Sequence, residues 1–376
     1  MKIAVNTRLL LKNRLEGIGQ FTAEIFKRLV NDHPEVEWIF VFDRPFDPEF
    51  QFSPQLKTKV LFPPTRHPLL WHYWFQWTLP RYLKREKVDL FISPDGMIPL
   101  WGKTKYLPVI HDLNYEHQPK NLDIVAGSYM RYFYPKFANR AIRVATVSQF
   151  CKKDLVHTYQ LKPQKVDVVP NGYGDHFKPL DHETQQKVRS EFANQNSYFL
   201  FLGALNPRKN LEGLMEAFAH YRDEGGNNEL VIVGEKMRWT PEIEKAFQNN
   251  PHQKAIHFTG RLNDIELAKV LASAQALCLV SHFEGFGIPI LEAMACNTPV
   301  ICANNTAMPE VAGEAALLVD SRDPHSIKVA LQQMEIVEVR KELISKGQIQ
   351  REKYSWQQSA EAMWTSIEKC FADGAS

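Results

Sequence analysis

The sequence predicts an α/β protein built from two doubly wound parallel sheets, and three observations carry that expectation. Short apolar runs alternate with helical patterns along the chain, as repeated βαβ units require. The runs are rich in Val, Ile and Phe and do not alternate with polar residues, which suits strands covered by helices on both faces. A polar, turn-rich stretch interrupts the series once, so the pattern occurs twice.

In the first series the runs fall at residues 3–7, 38–42, 90–93, 107–110, 144–148 and 166–169. Pro170-Asn171-Gly172-Tyr173-Gly174 and the polar stretch 178–196 then supply turn formers, which puts a domain boundary near Lys178. The second series follows at residues 198–202, 230–233, 256–258, 276–280, 300–302 and 316–319. Trp356, Ala360, Met363, Ile367 and Cys370 recur at helical spacing and predict an amphipathic final helix. Its apolar stripe needs a surface to cover, such as one on the first domain. The expected organisation is therefore a domain over residues 1–178, a second over 179–355, and a C-terminal helical segment over 356–376.

At 376 residues the chain suits two domains of ordinary size. Hydrophobic residues at 44% and charged residues at 23% exclude a disordered or fibrous protein, and no repeat of solenoid length is visible. The net charge of +2 argues against a nucleic-acid partner. It hides an asymmetry: residues 1–178 hold 26 Lys and Arg against 17 Asp and Glu (+9), whereas residues 179–376 hold 19 against 26 (−7). Such a split points to two units facing different partners. The five cysteines are scattered and lack C-x-x-C spacing, which indicates neither disulfides nor zinc and fits a reducing compartment. The N-terminus enters a strand-like run without a signal-peptide core, and no stretch is long and apolar enough to span a membrane. The expected location is cytoplasmic, or peripheral at the inner face of the membrane.

The segment from Ser281 to Ala295 is the richest in chemistry. A strand ends at Val280, a turn with Gly285 and Gly287 follows, and Pro289 suits the first turn of a helix because its missing N–H is unpaired there anyway. A helix N-terminus offers free N–H groups and partial positive charge to phosphate or sugar oxygens. Glu284 and Glu292 frame this turn, and carboxylates accept hydrogen bonds from hydroxyl pairs such as those of a ribose or a hexose. Arg208 and Lys209 follow another strand and precede a helix, where two cations can hold a diphosphate.

Gly17-Ile18-Gly19 invites comparison with a dinucleotide fingerprint, and Asp43 stands where its acidic residue belongs. The third glycine is replaced by Thr22 and the loop from Leu9 to Glu16 is too long, so a nicotinamide site is disfavoured, and Gly17 and Gly19 read instead as a loop that lets the backbone approach a phosphate-bearing ligand. His111 and Asp112 end a strand, a weak signal alone. No free Asp-x-Asp occurs, and His111 with His117 lacks a third ligand, so no metal site is expected. In the run from Trp71 to Lys87, Trp71, Trp74 and Phe75 fall at helical spacing for a core. The remaining aromatics with Lys84, Arg85 and Lys87 suit a solvated basic face or a membrane interface.

The block Glu284-Gly285-Phe286-Gly287-Ile288-Pro289-Ile290-Leu291-Glu292-Ala293-Met294-Ala295, with Thr298-Pro299-Val300 and Met308-Pro309-Glu310-Val311-Ala312-Gly313 after it, resembles the retaining nucleotide-sugar glycosyltransferases of family 4, including mannosyltransferase-like group 1 enzymes of GT-B fold. The resemblance extends to Phe201-Leu202-Gly203-Ala204-Leu205-Asn206-Pro207-Arg208-Lys209-Asn210, to Val169-Pro170-Asn171-Gly172 and to Val147-Ser148-Gln149-Phe150. Ala204 stands where many members carry Arg, Asn297 where they carry Gly, and Val280 where Pro is usual.

The resemblance implies two Rossmann-like domains facing across a cleft, with the donor bound mainly by the second and the acceptor by the first. The implied reaction moves a hexosyl group, such as mannosyl from GDP-mannose, from a nucleotide sugar to a glycan or lipid-linked hydroxyl with retention, in polysaccharide or cell-envelope glycan synthesis. Glu284, His111, Arg208 and Lys209 are the implied catalytic residues. Gly17, Gly19, Gly203, Gly260, Gly285, Phe286, Gly287, Ile288 and Glu292, together with Arg208 and Lys209, are implied to bind the donor. No cofactor or metal is expected beyond the nucleotide-diphosphate sugar as substrate. The partners are that donor, a glycan or lipid-linked acceptor and an anionic membrane surface, with no nucleic acid. A non-catalytic nucleotide-sugar-binding protein and an NAD-dependent sugar epimerase or oxidoreductase are the alternatives.

Overall fold

The computed structural model describes residues 1–119 and 123–372. Two compact units form: one from residues 1–171 joined by the chain from Trp356 onward, the other from residues 172–355. The division falls ahead of the boundary expected near Lys178, because the ladder of the first unit ends where the Val169 amide reaches Thr146 O at 2.7 Å. Beyond the Pro170-Asn171 turn the chain packs with the second unit. Residues 373–376 of the expected C-terminal segment lie outside the described residues.

In the first unit, β1 (Lys2–Asn6), β2 (Glu37–Phe42), β3 (Lys57–Val60), β4 (Leu90–Ser93) and β5 (Lys105–Pro108) form one sheet in the order β3-β2-β1-β4-β5. Every pairing is parallel. A further pair, β6 (Val144–Thr146) and β7 (Val166–Val168), is tied on where Val109 bridges Ala145. Strand β3 has no counterpart among the sequence expectations. Lys57-Thr58-Lys59-Val60 lies at the sheet edge with Lys57 and Lys59 exposed, so it carries edge-strand charges instead of an apolar run.

The helix Trp356–Ala372 belongs to this first unit and packs on the helix Gly17–Asp32. Trp356, Ala360, Met363, Ile367 and Cys370 are all buried, and full burial of a large apolar side chain stabilises by about 1.5–3 kcal/mol. The His33 ring stacks on Trp364 at 3.4 Å. Asp167 accepts from Ser366 Oγ at 2.8 Å and Lys369 Nζ at 2.9 Å while Arg143 grips both of its oxygens, so the helix is fixed by polar contacts as well.

In the second unit, β8 (Tyr198–Leu202), β9 (Glu229–Val233), β10 (Ile256–Gly260), β11 (Ala276–Leu279), β12 (Val300–Ala303) and β13 (Ala316–Val319) run in the order β10-β9-β8-β11-β12-β13, again all parallel. Strands β8, β9, β11 and β12 are buried along their whole length, which accounts for their unbroken apolar runs. The order reverses between β8 and β11 here, and between β1 and β4 in the first unit. At such a reversal the loops leaving the carboxyl ends diverge and open a crevice for ligands.

Candidate active site

Arg208, Lys209 and Glu284 meet at the reversal point of the second sheet. After β8 the chain passes Gly203 and enters the 3-10 turn Pro207–Lys209, so the two cations stand in that turn just before the helix Leu211–Asp223. Asn210 adopts a left-handed conformation, tolerable for this residue type, and its buried amide reaches Val280 O at 3.0 Å and Ser321 O at 2.6 Å. That amide locks the turn to the loop leaving β11. The His282 amide donates to Arg208 O at 2.8 Å, a second tie between the same loops.

Glu284 receives one cation on each oxygen: Lys209 Nζ lies 2.7 Å from Oε1 and Arg208 Nη1 lies 3.0 Å from Oε2. Burial opposes ionisation, but the charges of Arg208 and Lys209 outweigh it and hold the carboxyl down at about 2. The stem of Lys209 runs past Gly203, where a Cβ would come within 3.1 Å of Lys209 Cε. Gly203 thus makes room for the cation.

Gly287 precedes the helix Ile288–Ala295 with φ of 96°, and a Cβ there would meet Ile290 Cδ1 at 3.1 Å and Leu279 Cδ2 at 3.3 Å. The turn therefore needs glycine on both conformational and steric grounds. Gly285 is buried in the same turn and Ile288 half-buried. Phe286 is buried edge-on to Tyr354 at 5.7 Å, which makes its ring part of the packing.

Glu292, on the helix that follows, is 6% exposed, and among the described residues its carboxyl has neither a hydrogen bond nor an ion pair. Burial and then the charge of Asp264 push it up to about 8. The two glutamates singled out in the sequence are therefore driven apart: Glu284 is ionised at neutral pH and Glu292 is protonated. Gly260 ends β10 with φ of 73° and open space around its Cβ position, and its carbonyl accepts from the Gly234 amide at 2.9 Å.

The remaining candidates lie in the first unit. Gly17 and Gly19 stand in the first turn of the helix Gly17–Asp32, where the sequence suggested a loop. A Cβ at Gly19 would come within 2.8 Å of Leu9 O, so close packing of the preceding segment requires this glycine, whereas Gly17 faces open space. His111 Nε2 donates to Pro94 O at 2.9 Å, which leaves Nδ1 as the unprotonated ring nitrogen. Burial lowers its pKa and keeps the ring neutral. Its backbone carbonyl accepts from Cys151 Sγ at 3.2 Å.

A buried polar network went unnoticed in the sequence. At the reversal point between β1 and β4, Arg8 pairs with Asp95 and donates to Thr65 Oγ1 at 2.9 Å, while Ser93 Oγ donates to Asp95 Oδ1 at 3.0 Å. Arg8 lies over the rings of Trp71 and Phe75. Asp43 is filled by Arg44 and by the amide and hydroxyl of Thr65, so it has no place for a ribose diol and the dinucleotide reading fails there. The only signal for Arg8 and Asp95 in the sequence was their position just past two strand ends.

Comparison with known proteins accords with this architecture. The sequence model described as Glycosyl transferases group 1 matches residues 182–350, and that described as Glycosyltransferase Family 4 matches residues 15–175. The chain is 25% identical over 369 residues to O-antigen chain mannosyltransferase B of Escherichia coli, covering 92% of this chain and 94% of that protein. It is 27% identical over 269 residues to O-antigen chain mannosyltransferase RfbU of Salmonella typhimurium, covering 71% of each. Among solved structures, Anabaena Alr3699/HepE in complex with UDP-glucose superposes with a TM-score of 0.77 at 16% identity, over 98% of this chain and 100% of that one. With the two matches covering both units and the fold shared along nearly its whole length, the chain belongs to the group 1 glycosyltransferases of GT-B fold and is an enzyme that transfers sugars.

Proposed function

We propose that the enzyme moves a hexosyl group from a nucleotide-diphosphate sugar to a hydroxyl of a glycan or lipid-linked acceptor, with retention at the anomeric carbon, in the synthesis of a cell-envelope polysaccharide. The observation that carries this reading is the meeting of Arg208, Lys209 and Glu284 at the reversal point of the second sheet. Breaking the anomeric C–O bond leaves an electron pair on the diphosphate, and preorganised cations beside that oxygen favour the step. Arg208, Lys209 and the N–H groups opening the helix Ile288–Ala295 are the groups suited to it. Glu284 would orient the hexose and Glu292 the ribose. The similarity to two proteins named as O-antigen mannosyltransferases favours mannosyl as the group transferred, and GDP-mannose is the donor we expect.

The acceptor would meet the first unit, where the Arg8–Asp95 pair and His111 supply polar groups at the carboxyl ends of the strands. Thermal-shift titration against GDP-, UDP- and ADP-sugars tests the donor, because a ligand that binds only the native state raises the melting temperature. GDP-mannose is expected to give the largest shift; a shift from UDP- or ADP-sugars alone would replace the base.

The two cations can carry the charge role of a divalent ion, so the reaction is expected to run in excess EDTA. Abolition by chelator and rescue by Mg²⁺ or Mn²⁺ would overturn this. We further infer a peripheral, cytoplasmic-face association with anionic membrane. Leu69, Tyr73 and Trp77 recur every fourth residue and are all exposed, beside exposed Arg81, Lys84, Arg85 and Lys87. The helix Ile124–Arg140 adds exposed Ile124, Val125 and Tyr132, and its 17 residues include no Asp or Glu. Aromatic and basic side chains that outnumber their one acidic neighbour in the run, Glu86, which pairs with Arg85 at 3.2 Å, suit an anionic lipid surface.

A further inference from the structure

Glu284 makes the same contacts that a bound diphosphate would make. Its two oxygens sit on two different cations, one on Lys209 Nζ and one on Arg208 Nη1, much as two phosphate oxygens would divide between them. Arg208 and Lys209 come from the turn after β8 and Glu284 from the loop after β11. These loops are joined independently of the carboxylate, by the His282 amide on Arg208 O and by Arg208 Nη1 on Phe283 O at 2.9 Å. The carboxylate can therefore leave the cations without the loops separating.

We propose that Glu284 is a stand-in anion: in the donor-free enzyme its carboxylate occupies the diphosphate place on Arg208 and Lys209, and an incoming nucleoside diphosphate displaces it toward the hexose. The proposal rests on the reading of Arg208 and Lys209 as the diphosphate site. It also assigns an order to donor recognition. The group that orients the sugar becomes available only when a diphosphate has taken over its two cations, so a free hexose cannot capture Glu284 unaided. Charge supplies the reason for the exchange: with Glu284 at only 7% exposure, its negative charge offsets the attraction of the cations for a doubly negative diphosphate in surroundings that screen poorly.

Two effects of opposite sign follow for Glu284→Gln. Removing the competing charge strengthens binding of a bare diphosphate, while the loss of the displaced carboxylate weakens recognition of the hexose. Isothermal titration at fixed ionic strength with inorganic pyrophosphate, then with GDP and GDP-mannose, separates the two. Glu284→Gln is expected to bind pyrophosphate at least about fivefold more tightly than the wild type. Its preference for GDP-mannose over GDP should shrink, and its turnover should fall at least about tenfold. Pyrophosphate affinity equal to or below that of the wild type would overturn the displacement and leave the phosphate-site reading standing, provided the double variant Arg208→Ala, Lys209→Ala has lost pyrophosphate binding. If that double variant binds pyrophosphate like the wild type, both readings fall. Should the amide variant not fold, Glu284→Asp, too short to reach both cations, is expected to tighten pyrophosphate by about twofold, and unchanged or weaker binding counts against the proposal in the same way.

Discussion

Two glutamates on either side of one helix start have opposite protonation, and the cause lies in what each touches. Glu284 has a cation on each oxygen, whereas burial and the nearby charge of Asp264 act on Glu292. The consequence for Glu292 can be measured on the free enzyme. An unfolded chain loses this proton near 4.5, while the native state holds it until about 8. Between those values the unfolded state binds fewer protons, so rising pH disfavours the native state, with no penalty below 4.5 and the full penalty above 8. Glu292→Gln is neutral in both states and is expected to melt with the wild type at pH 5 but several degrees higher at pH 8. Equal shifts at both pH values in scanning calorimetry would contradict the protonated assignment. The residue types at positions 284 and 292 were legible in the sequence, but their opposite charge states were not, because the partners of Glu284 sit more than 70 residues away.

At the scale of elements, the local chemistry of the turn into the helix Ile288–Ala295 reads directly from adjacent residues. Gly287 supplies the left-handed conformation and Pro289 suits the first helical turn. Gly287→Ala is expected to cost about 1–3 kcal/mol, since it forces a Cβ into that conformation and against Ile290 and Leu279. A fall in melting temperature with little change in secondary-structure signal is the expected outcome, and an unchanged melting temperature would show that the turn relaxes freely. Strand β3 shows the converse. Its edge position sets its composition, and Lys57-Thr58-Lys59 is indistinguishable from a loop until β2 is seen beside it. The loop expected at Gly17 and Gly19 is the start of a helix for a similar reason, since Gly19 answers to the Leu9 backbone packed on it.

For the whole molecule the charge division into +9 and −7 acquires a physical location. Of the aromatic and basic run, Trp74 and Phe75 are fully buried and Trp71 is partly buried, while Leu69, Tyr73 and Trp77 face outward with the basic residues. Co-sedimentation with vesicles containing phosphatidylglycerol is expected at low salt and to fade as salt screens the charges, each exposed Lys or Arg contributing about 1 kcal/mol. Changing Lys84, Arg85 and Lys87 to Glu should abolish it. Undiminished sedimentation of that variant, or none by the wild type at low salt, would leave this face simply solvated.

The sequence by itself determined that the chain holds two parallel, doubly wound sheets and which loops carry glycine, proline and charge. Strands buried on both faces need continuous apolar runs, and turns need particular residues at adjacent positions, so both are written locally. Tertiary structure alone decided that Lys209 and Arg208 neutralise Glu284, that Glu292 is buried with no hydrogen-bond or ion-pair partner among the described residues, that Asp43 is consumed by Arg44 and Thr65, and that Arg8 meets Asp95 at the reversal point of the first sheet. Each of those facts depends on groups brought together by strand order or on the exclusion of water, and neither strand order nor burial is fixed by the residues immediately beside a given position in the chain.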